Sequence, residues 1–353
     1  MMTNTPNIFC HATSELSQDA FLAWLCEWAD EVHADHPSGM HEIGRAFIAW
    51  LYEKRRWPLP DYRTVKVDLQ HLHIDLFVTL TTAAGEKHYL LIEDKIHTSD
   101  YAEQISGYLN ALKDRGGIHD LSRVLPVYFK TSLEQRKDDD YLRLYLPDIA
   151  GFLRSLDASA VKSEIFHSWC SLRLAKHASH EKFRSLPVAA WQADQWYACF
   201  DHMAQQTTMV DLDAGYGYVH LGDFIGFWLG WVGEPNDWCT YLQVDVMKRQ
   251  EKPSLGFRIG APKDVVVDKA RMKAAYSVLE QAATSKGKQV QFPKWAQGGG
   301  KSSRFAVLNE PFLSTTEGGT FDEALFVEQL VACKELLVQS EALLKLSGLL
   351  PTT

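Results

Sequence analysis

The run Tyr89-Leu90-Leu91-Ile92-Glu93-Asp94-Lys95 constrains the fold more than any other part of the chain. Successive residues of a strand point to opposite faces, so unbroken apolar sequence demands cover on both sides. That predicts a central strand of a sheet flanked by helices. The preceding run, His73 to Leu80, is a second strand, and Thr82-Ala83-Ala84-Gly85-Glu86 is the turn between them. Asp75 stands inside that second strand where an apolar residue is expected.

The surrounding pattern extends this core. Thr13 to Asp19 offers several N-caps, and Phe21, Leu22, Leu25, Trp28 and Ala29 then recur at helical spacing. A helix over about 42–54 buries Ile43, Ala46, Phe47, Trp50 and Leu51, with Pro58 expected to stop it. Val65–Leu69 alternates as a strand, 101–112 reads as a helix closed by Gly116-Gly117, and 123–129 is a strand buried on both faces. Helices follow near 146–156 and 163–176. The order predicts an α/β fold with a mixed sheet over residues 1–185. Beyond Ser185-Leu186-Pro187, short strands over 217–221, 224–231, 241–247 and 255–259 precede a helix over 269–284, strands over 290–295 and 304–308, and a long helix over 321–346. Residues 186–353 are therefore expected to form a separate α+β domain.

The chemistry concentrates in the first region. Glu93 and Lys95, two apart in a strand, share a face, and pairing through the Gly85 turn brings Asp75 alongside them. Two carboxylates around one ammonium suit phosphodiester hydrolysis. A hard divalent ion such as Mg²⁺ takes one or two carboxylates plus waters and phosphate oxygens. Asp75 and Glu93 are the expected ligands of Mg²⁺ or Mn²⁺, with the carbonyl of residue 94 beside them and Glu15 as a third carboxylate. Lys95 is expected to orient the attacking water and to stabilise the developing negative charge.

Ile74-Asp75 followed by Ile92-Glu93-Asp94-Lys95 resembles the signature of the PD-(D/E)XK nuclease superfamily. The likeness extends to a bacterial subgroup that opens with a segment like Ala12-Thr13-Ser14-Glu15-Leu16-Ser17-Gln18-Asp19-Ala20-Phe21. That subgroup also carries Gln104-Ile105-Ser106-Gly107-Tyr108 and Val127-Tyr128-Phe129-Lys130-Thr131, and covers roughly residues 8–131. The usual Pro-Asp is Ile-Asp here. The resemblance implies a restriction-endonuclease-like core in which Glu15, Asp75, Glu93 and Lys95 converge, with Gln104 and Tyr108 facing the site. It also implies a DNA endonuclease of the kind found in phage defence or DNA processing, acting as a homodimer where both strands are cut. Residues 186–353 match no pattern and are expected to serve recognition, sensing or dimerisation.

Charge narrows the partners. The chain carries a net charge of −9, and the halves on either side of residue 180 carry −6 and −3. Neither is a broadly basic nucleic-acid module, so cations need line only one groove. The six cysteines are scattered without a CxxC pair, against a zinc knuckle or a redox motif. With no apolar span and no secretory segment, the expectation is a cytoplasmic protein with no membrane partner. His71-x-His73-x-Asp75 lacks the further histidine of zinc hydrolases and reads as polar residues at a strand entry. Gly298-Gly299-Gly300-Lys301 lacks the first glycine of a P-loop and reads as a flexible basic loop. The aromatic run 224–238 reads as sheet core rather than a base-stacking platform. The final helix has apolar residues on more than one face, consistent with docking on its own domain or with dimerisation. Two other classes fit the same residues: a non-catalytic nucleic-acid-binding or sensor protein that keeps the fold, and a nuclease directed at RNA.

Overall fold

Alternating and continuous apolar runs become two separate sheets. A computed structural model of the chain describes residues 6–96, 104–135, 140–219, 224–234, 237–247, 253–294, 300–309, 312–313, 315–346 and 348–350. It divides into two units, Met1–Ala178 and Ser179–Thr353.

The first unit begins with α1 (Glu15–Glu27) and α2 (Met40–Arg55). Ser14 caps α1, its side chain accepting from Ser17 N. The α2 helix ends before Pro58 is reached: Arg56 adopts a left-handed conformation, φ 59°, and its N–H returns to the last turn. Three antiparallel strands follow, β1 (Tyr62–His71), β2 (Ile74–Thr82) and β3 (Lys87–Lys95). The helix α3 (Gln104–Asp114) connects β3 to β4 (Val124–Lys130), which is parallel to it, and β5 (Leu142–Leu144) adds a parallel edge. Residues 101–103, expected in the same helix as Gln104, lie outside the described residues. Two helices follow, α4 (Leu146–Ser155) and α5 (Glu164–Glu181), the last turn of α5 passing the boundary between the units. The result is a mixed five-stranded sheet in the order β1-β2-β3-β4-β5. The three-residue β5 is too short for a periodicity to announce it.

Helices cover both faces. Leu76, Val78, Leu90, Ile92, Val127 and Phe129 pack with Leu22, Leu25, Phe47, Leu51 and Phe166 in one core. Phe77, Leu91 and Val124 pack with Leu112 of α3 in the other. Gly44 sets the closeness of α1 and α2. A Cβ there would come within 2.7 Å of both Ala29 N and Leu25 O, which are backbone atoms. Gly44→Ala gains about 1 kcal/mol of helix propensity, but the clash costs about 1–3 kcal/mol or more because backbone cannot yield as a side chain can. A lowered urea midpoint for the first unit is the expected result.

In the second unit, α6 (Ala193–Ala204) and α7 (Thr207–Asp211) precede the strands β6 (Gly215–Val219), β7 (Phe224–Val232), β8 (Cys239–Met247) and β9 (Pro253–Gly260). Then come α8 (Lys269–Ser285), β10 (Val290–Gln291), β11 (Ser302–Leu308) and α9 (Glu323–Leu346). All pairings are antiparallel, in the order β10-β11-β9-β8-β7-β6. The region after Pro187 was expected to hold strands and turns, yet α6 stands there. Trp196, Cys199, Phe200 and Met203 are spaced for one helical face and are buried. Of the strand expected over 290–295, only Val290–Gln291 is strand among the described residues, and Trp295 lies outside them. The aromatic run divides between faces: Phe227 and Leu229 are buried in the core, whereas Trp228 and, beyond a register shift between Leu229 and Val232, Trp231 are half-buried. Along α9, Phe326, Leu330, Leu336, Leu337 and Leu344 are buried, and Leu325, Val338, Leu343 and Leu346 are exposed. No described helix is long and apolar enough to cross a membrane.

Candidate active site

Strand alternation and hairpin register assemble one cluster at the end of the first sheet. Leu76 pairs with Ile92 across the β2–β3 hairpin, and the next step of that register sets Asp75 beside Glu93. Asp75, Glu93 and Lys95 thus share the face covered by α3. Asp94 points to the opposite face, toward α1.

On the α3 face, Lys95 Nζ contacts Glu93 Oε1, lies 3.7 Å from Asp75 Oδ2 and donates to the carbonyl of Asp94 at 2.9 Å. Gln104 Nε2 donates to Glu93 Oε1 at 2.6 Å and to the Tyr108 hydroxyl at 2.8 Å. Asp75 Oδ2 accepts from Asp94 N at 2.9 Å, and Asp75 Oδ1 accepts from Gln70 Nε2 at 3.1 Å. From the start of α1, Glu15 Oε1 accepts from Ile96 N at 3.2 Å. The structure therefore links Asp75, Glu93, Lys95 and Gln104 in one connected set of contacts and sets Glu15 against the residue after Lys95. His71 and His73 sit at the hairpin turn before β2, where His71 stacks on Phe77 at 5.1 Å.

Burial shapes the electrostatics. Glu93 is 1 % exposed, and this desolvation pushes its carboxyl up to about 7 despite the hydrogen bond from Lys95. Burial alone would lower the Lys95 ammonium, but its bond to Glu93 and the charges of Glu93, Asp75 and Glu15 raise it instead. Lys95 is therefore held protonated. Burial also raises the Tyr108 hydroxyl.

The opposite face holds a cluster that residue patterns did not single out. Asp94, 0 % exposed, accepts from Gln18 Nε2 at 2.5 Å. Gln18 Oε1 in turn accepts from Thr131 Oγ1 at 2.9 Å and from Arg173 Nη2 at 2.8 Å. Burial, followed by the charge of Asp75, raises Asp19 to about 7, and burial raises Asp94 well above the carboxylate range. Burial lowers Arg173 to about 10. A signal for these residues does exist. Gln18 and Asp19 stand one turn before buried Leu22 and two turns before buried Cys26, and Arg173 continues the face of Phe166 and Trp169. Polar residues on a buried stripe need partners. Near the sheet end, Lys130 Nζ and the Tyr128 hydroxyl both donate to Glu134 Oε2 at 2.7 Å.

Among the described residues, no three His, Cys, Asp or Glu side chains form a ready-made metal cluster. The donor chemistry nevertheless fits a hard cation of the Mg²⁺ type. Glu93 Oε2 is buried and has no hydrogen-bond partner among the described residues, and Asp75 supplies a second carboxylate across Lys95. Two carboxylates suffice for such an ion when water and substrate oxygens complete its shell.

No protein-family model, no curated protein and no solved structure matches this chain.

Proposed function

We propose that the first unit is a metal-dependent nuclease with a restriction-endonuclease-like core, hydrolysing phosphodiester bonds, with DNA as its polymer. The observation that carries this reading is the buried Lys95 ammonium between Asp75 and Glu93, with one Glu93 oxygen left without a hydrogen-bond partner.

Asp75 and Glu93 would hold Mg²⁺ or Mn²⁺, with Glu15 at the edge of the site. A bound ion of this class polarises the scissile phosphate and lowers the pKa of a coordinated water. Lys95, kept protonated by its neighbours, donates hydrogen bonds toward the attacking water and toward the phosphate oxygen on which negative charge grows. Gln104 holds the Glu93 carboxylate by one oxygen, and the other has no hydrogen-bond partner among the described residues. The Asp94 peptide fixes both flanks, its N–H on Asp75 and its carbonyl on Lys95. Cleavage of both strands of a duplex would pair two such cores as a homodimer. Phage defence and DNA processing are settings that suit such an enzyme.

The test is purified full-length protein against supercoiled, linear and single-stranded DNA and RNA, each with Mg²⁺, Mn²⁺ or EDTA, beside Glu93→Ala and Lys95→Ala. Cleavage that needs metal and disappears in both variants is expected. Failure to cut any substrate, or cutting that survives both substitutions, would sink the reading.

Protons compete with the cation for Glu93. Its carboxyl titrates near 7, so apparent Mg²⁺ affinity is expected to rise between pH 6 and pH 8 and to level off above. Calorimetry in buffers of different ionisation enthalpy should show proton release on binding at pH 6 that fades by pH 9.

A further inference from the structure

We propose that Gln70 is a positioning residue for the Asp75 carboxylate, held for that purpose in a strained hairpin turn. What Asp75 does once positioned rests on the nuclease reading; how it is held rests on geometry within the first unit.

The β1–β2 hairpin closes in two residues. His71 pairs with Ile74, so Leu72 and His73 form the turn. Leu69 pairs with Leu76, which sets Gln70 opposite Asp75. Both turn residues have positive φ, 53° and 72°, and Gln70 has φ 54°. A left-handed backbone crowds the Cβ of any residue that has one, so two-residue turns of this kind favour Asn-Gly or Asp-Gly. This turn carries Leu-His, with Gln70 just before it. Of the six non-glycine residues with positive φ among the described residues, three stand in this one hairpin.

Strain of this kind persists only where the surroundings over-determine it, and it collects at functional sites. Packing accounts for the neighbours of Gln70. Leu72 packs on the core of Ile74, Phe77 and Leu91. His71 stacks on Phe77, which stacks in turn on Tyr89 at 5.4 Å. Gln70 itself is exposed, and its Nε2 donates to Asp75 Oδ1 at 3.1 Å.

That bond completes a grip on Asp75. Its other oxygen, Oδ2, accepts from Asp94 N at 2.9 Å, so the carboxylate is pinned at both ends. With one donor it could turn about its Cβ–Cγ bond; with two it is fixed. Each carboxylate oxygen accepts along two lone pairs, so one donor on each does not exhaust it. The Gln70 amide is also neutral. It orients the carboxylate without cancelling the charge that attracts a cation, which a lysine or arginine in its place would do. Groups that hold a metal-ligating side chain in this way typically change metal affinity about 10- to 100-fold.

The experiment compares full-length parent protein with Gln70→Gly and His73→Gly. Amide exchange is followed by NMR in EDTA, thermal midpoints by scanning calorimetry, and Mg²⁺ binding by titration calorimetry. Gln70→Gly relieves left-handed strain and removes the amide together. Its midpoint should hold or rise by up to about 4 °C. Its Asp94 N–H should nevertheless exchange about 10-fold faster, and Mg²⁺ should bind about 10-fold more weakly. His73 is exposed and touches neither Asp75 oxygen. His73→Gly therefore relieves the same kind of strain and should leave Asp94 exchange and Mg²⁺ affinity at the parent values. The proposal is overturned if Asp94 exchange is unchanged in Gln70→Gly, or if it accelerates equally in His73→Gly. It is also overturned if the Gln70→Gly midpoint falls with faster exchange across the whole hairpin, since Gln70 would then serve the fold alone. A parent protein that binds no Mg²⁺ would count against the nuclease reading only, because the exchange measurement decides how Asp75 is held without any metal.

Discussion

Glu93→Gln is expected to abolish metal-dependent cleavage while raising the thermal stability of the first unit at pH 8. The two effects have one cause. Glu93 is buried, one of its oxygens has no hydrogen-bond partner, and its carboxyl is held near 7. In the unfolded chain the same group titrates near the ordinary carboxylate value. Between those two pH values the folded state binds more protons than the unfolded state, so stability is present at low pH and is lost as pH rises through about 7. Glutamine keeps the shape and the oxygen that accepts from Lys95 and Gln104, and removes the desolvated charge. The gain is on the order of 3 kcal/mol at pH 8, from ~1.4 kcal/mol per pKa unit, and falls away toward pH 5. Calorimetry at the two pH values, beside a cleavage assay, checks both halves. A variant less stable than the parent at pH 8 would show that Glu93 is a structural ion-pair partner. Activity that persists would remove Glu93 from the site.

Arg173→Ala should have the opposite effect on stability. Arg173 is buried, stacks over the Trp169 ring at 5.4 Å, and donates to Gln18, which holds Asp94. Burial disfavours its charge, and the neighbouring Asp94 carboxylate favours it. Removing one partner of a buried charged network costs about 3–5 kcal/mol, because the remaining groups stay desolvated. The deficit should be largest at pH 8 and smaller at pH 5. Burial already raises Asp94, and loss of the neighbouring cation raises it further, so protonation relieves the defect as pH falls. Denaturant midpoints at both pH values test this. Arg173→Met, which keeps most of the stem packed on Trp169, separates lost charge from lost packing. If Met restores the parent midpoint at pH 8, the charge contributes nothing.

Both variants act on opposite faces of one strand, and the two faces differ in how far they are legible in sequence. That Glu93 and Lys95 share a face follows from the two-residue period of a strand. Asp75 joins them through a hairpin whose turn is marked by Gly85, with φ 80°. The main helices were legible in the same way, because their apolar residues repeat within a few positions. So was the buried setting of β3, whose apolar run leaves no face for solvent.

Contacts without a local period were not legible. Gln18 meets Asp94 across 76 residues and Arg173 across 155, and no window along the chain contains either pair. A polar residue on a helical face announces only that a partner is needed; the partner is chosen by packing α1 and α5 against the same end of the sheet. The second sheet makes the same point. Alternation alone separates Trp228 and Arg258 from Phe227 and Phe257, but it does not say which set meets the helices. Docking of α8 and α9 decided that, since only the larger apolar set could bury its surface against them. Local periodicity marks the long helices, the main strands and the Asp75, Glu93 and Lys95 face, but not α6 or β5. Tertiary packing chose what stands behind that face and which side of the second sheet α8 and α9 cover, because both depend on surfaces that meet only after the chain has folded.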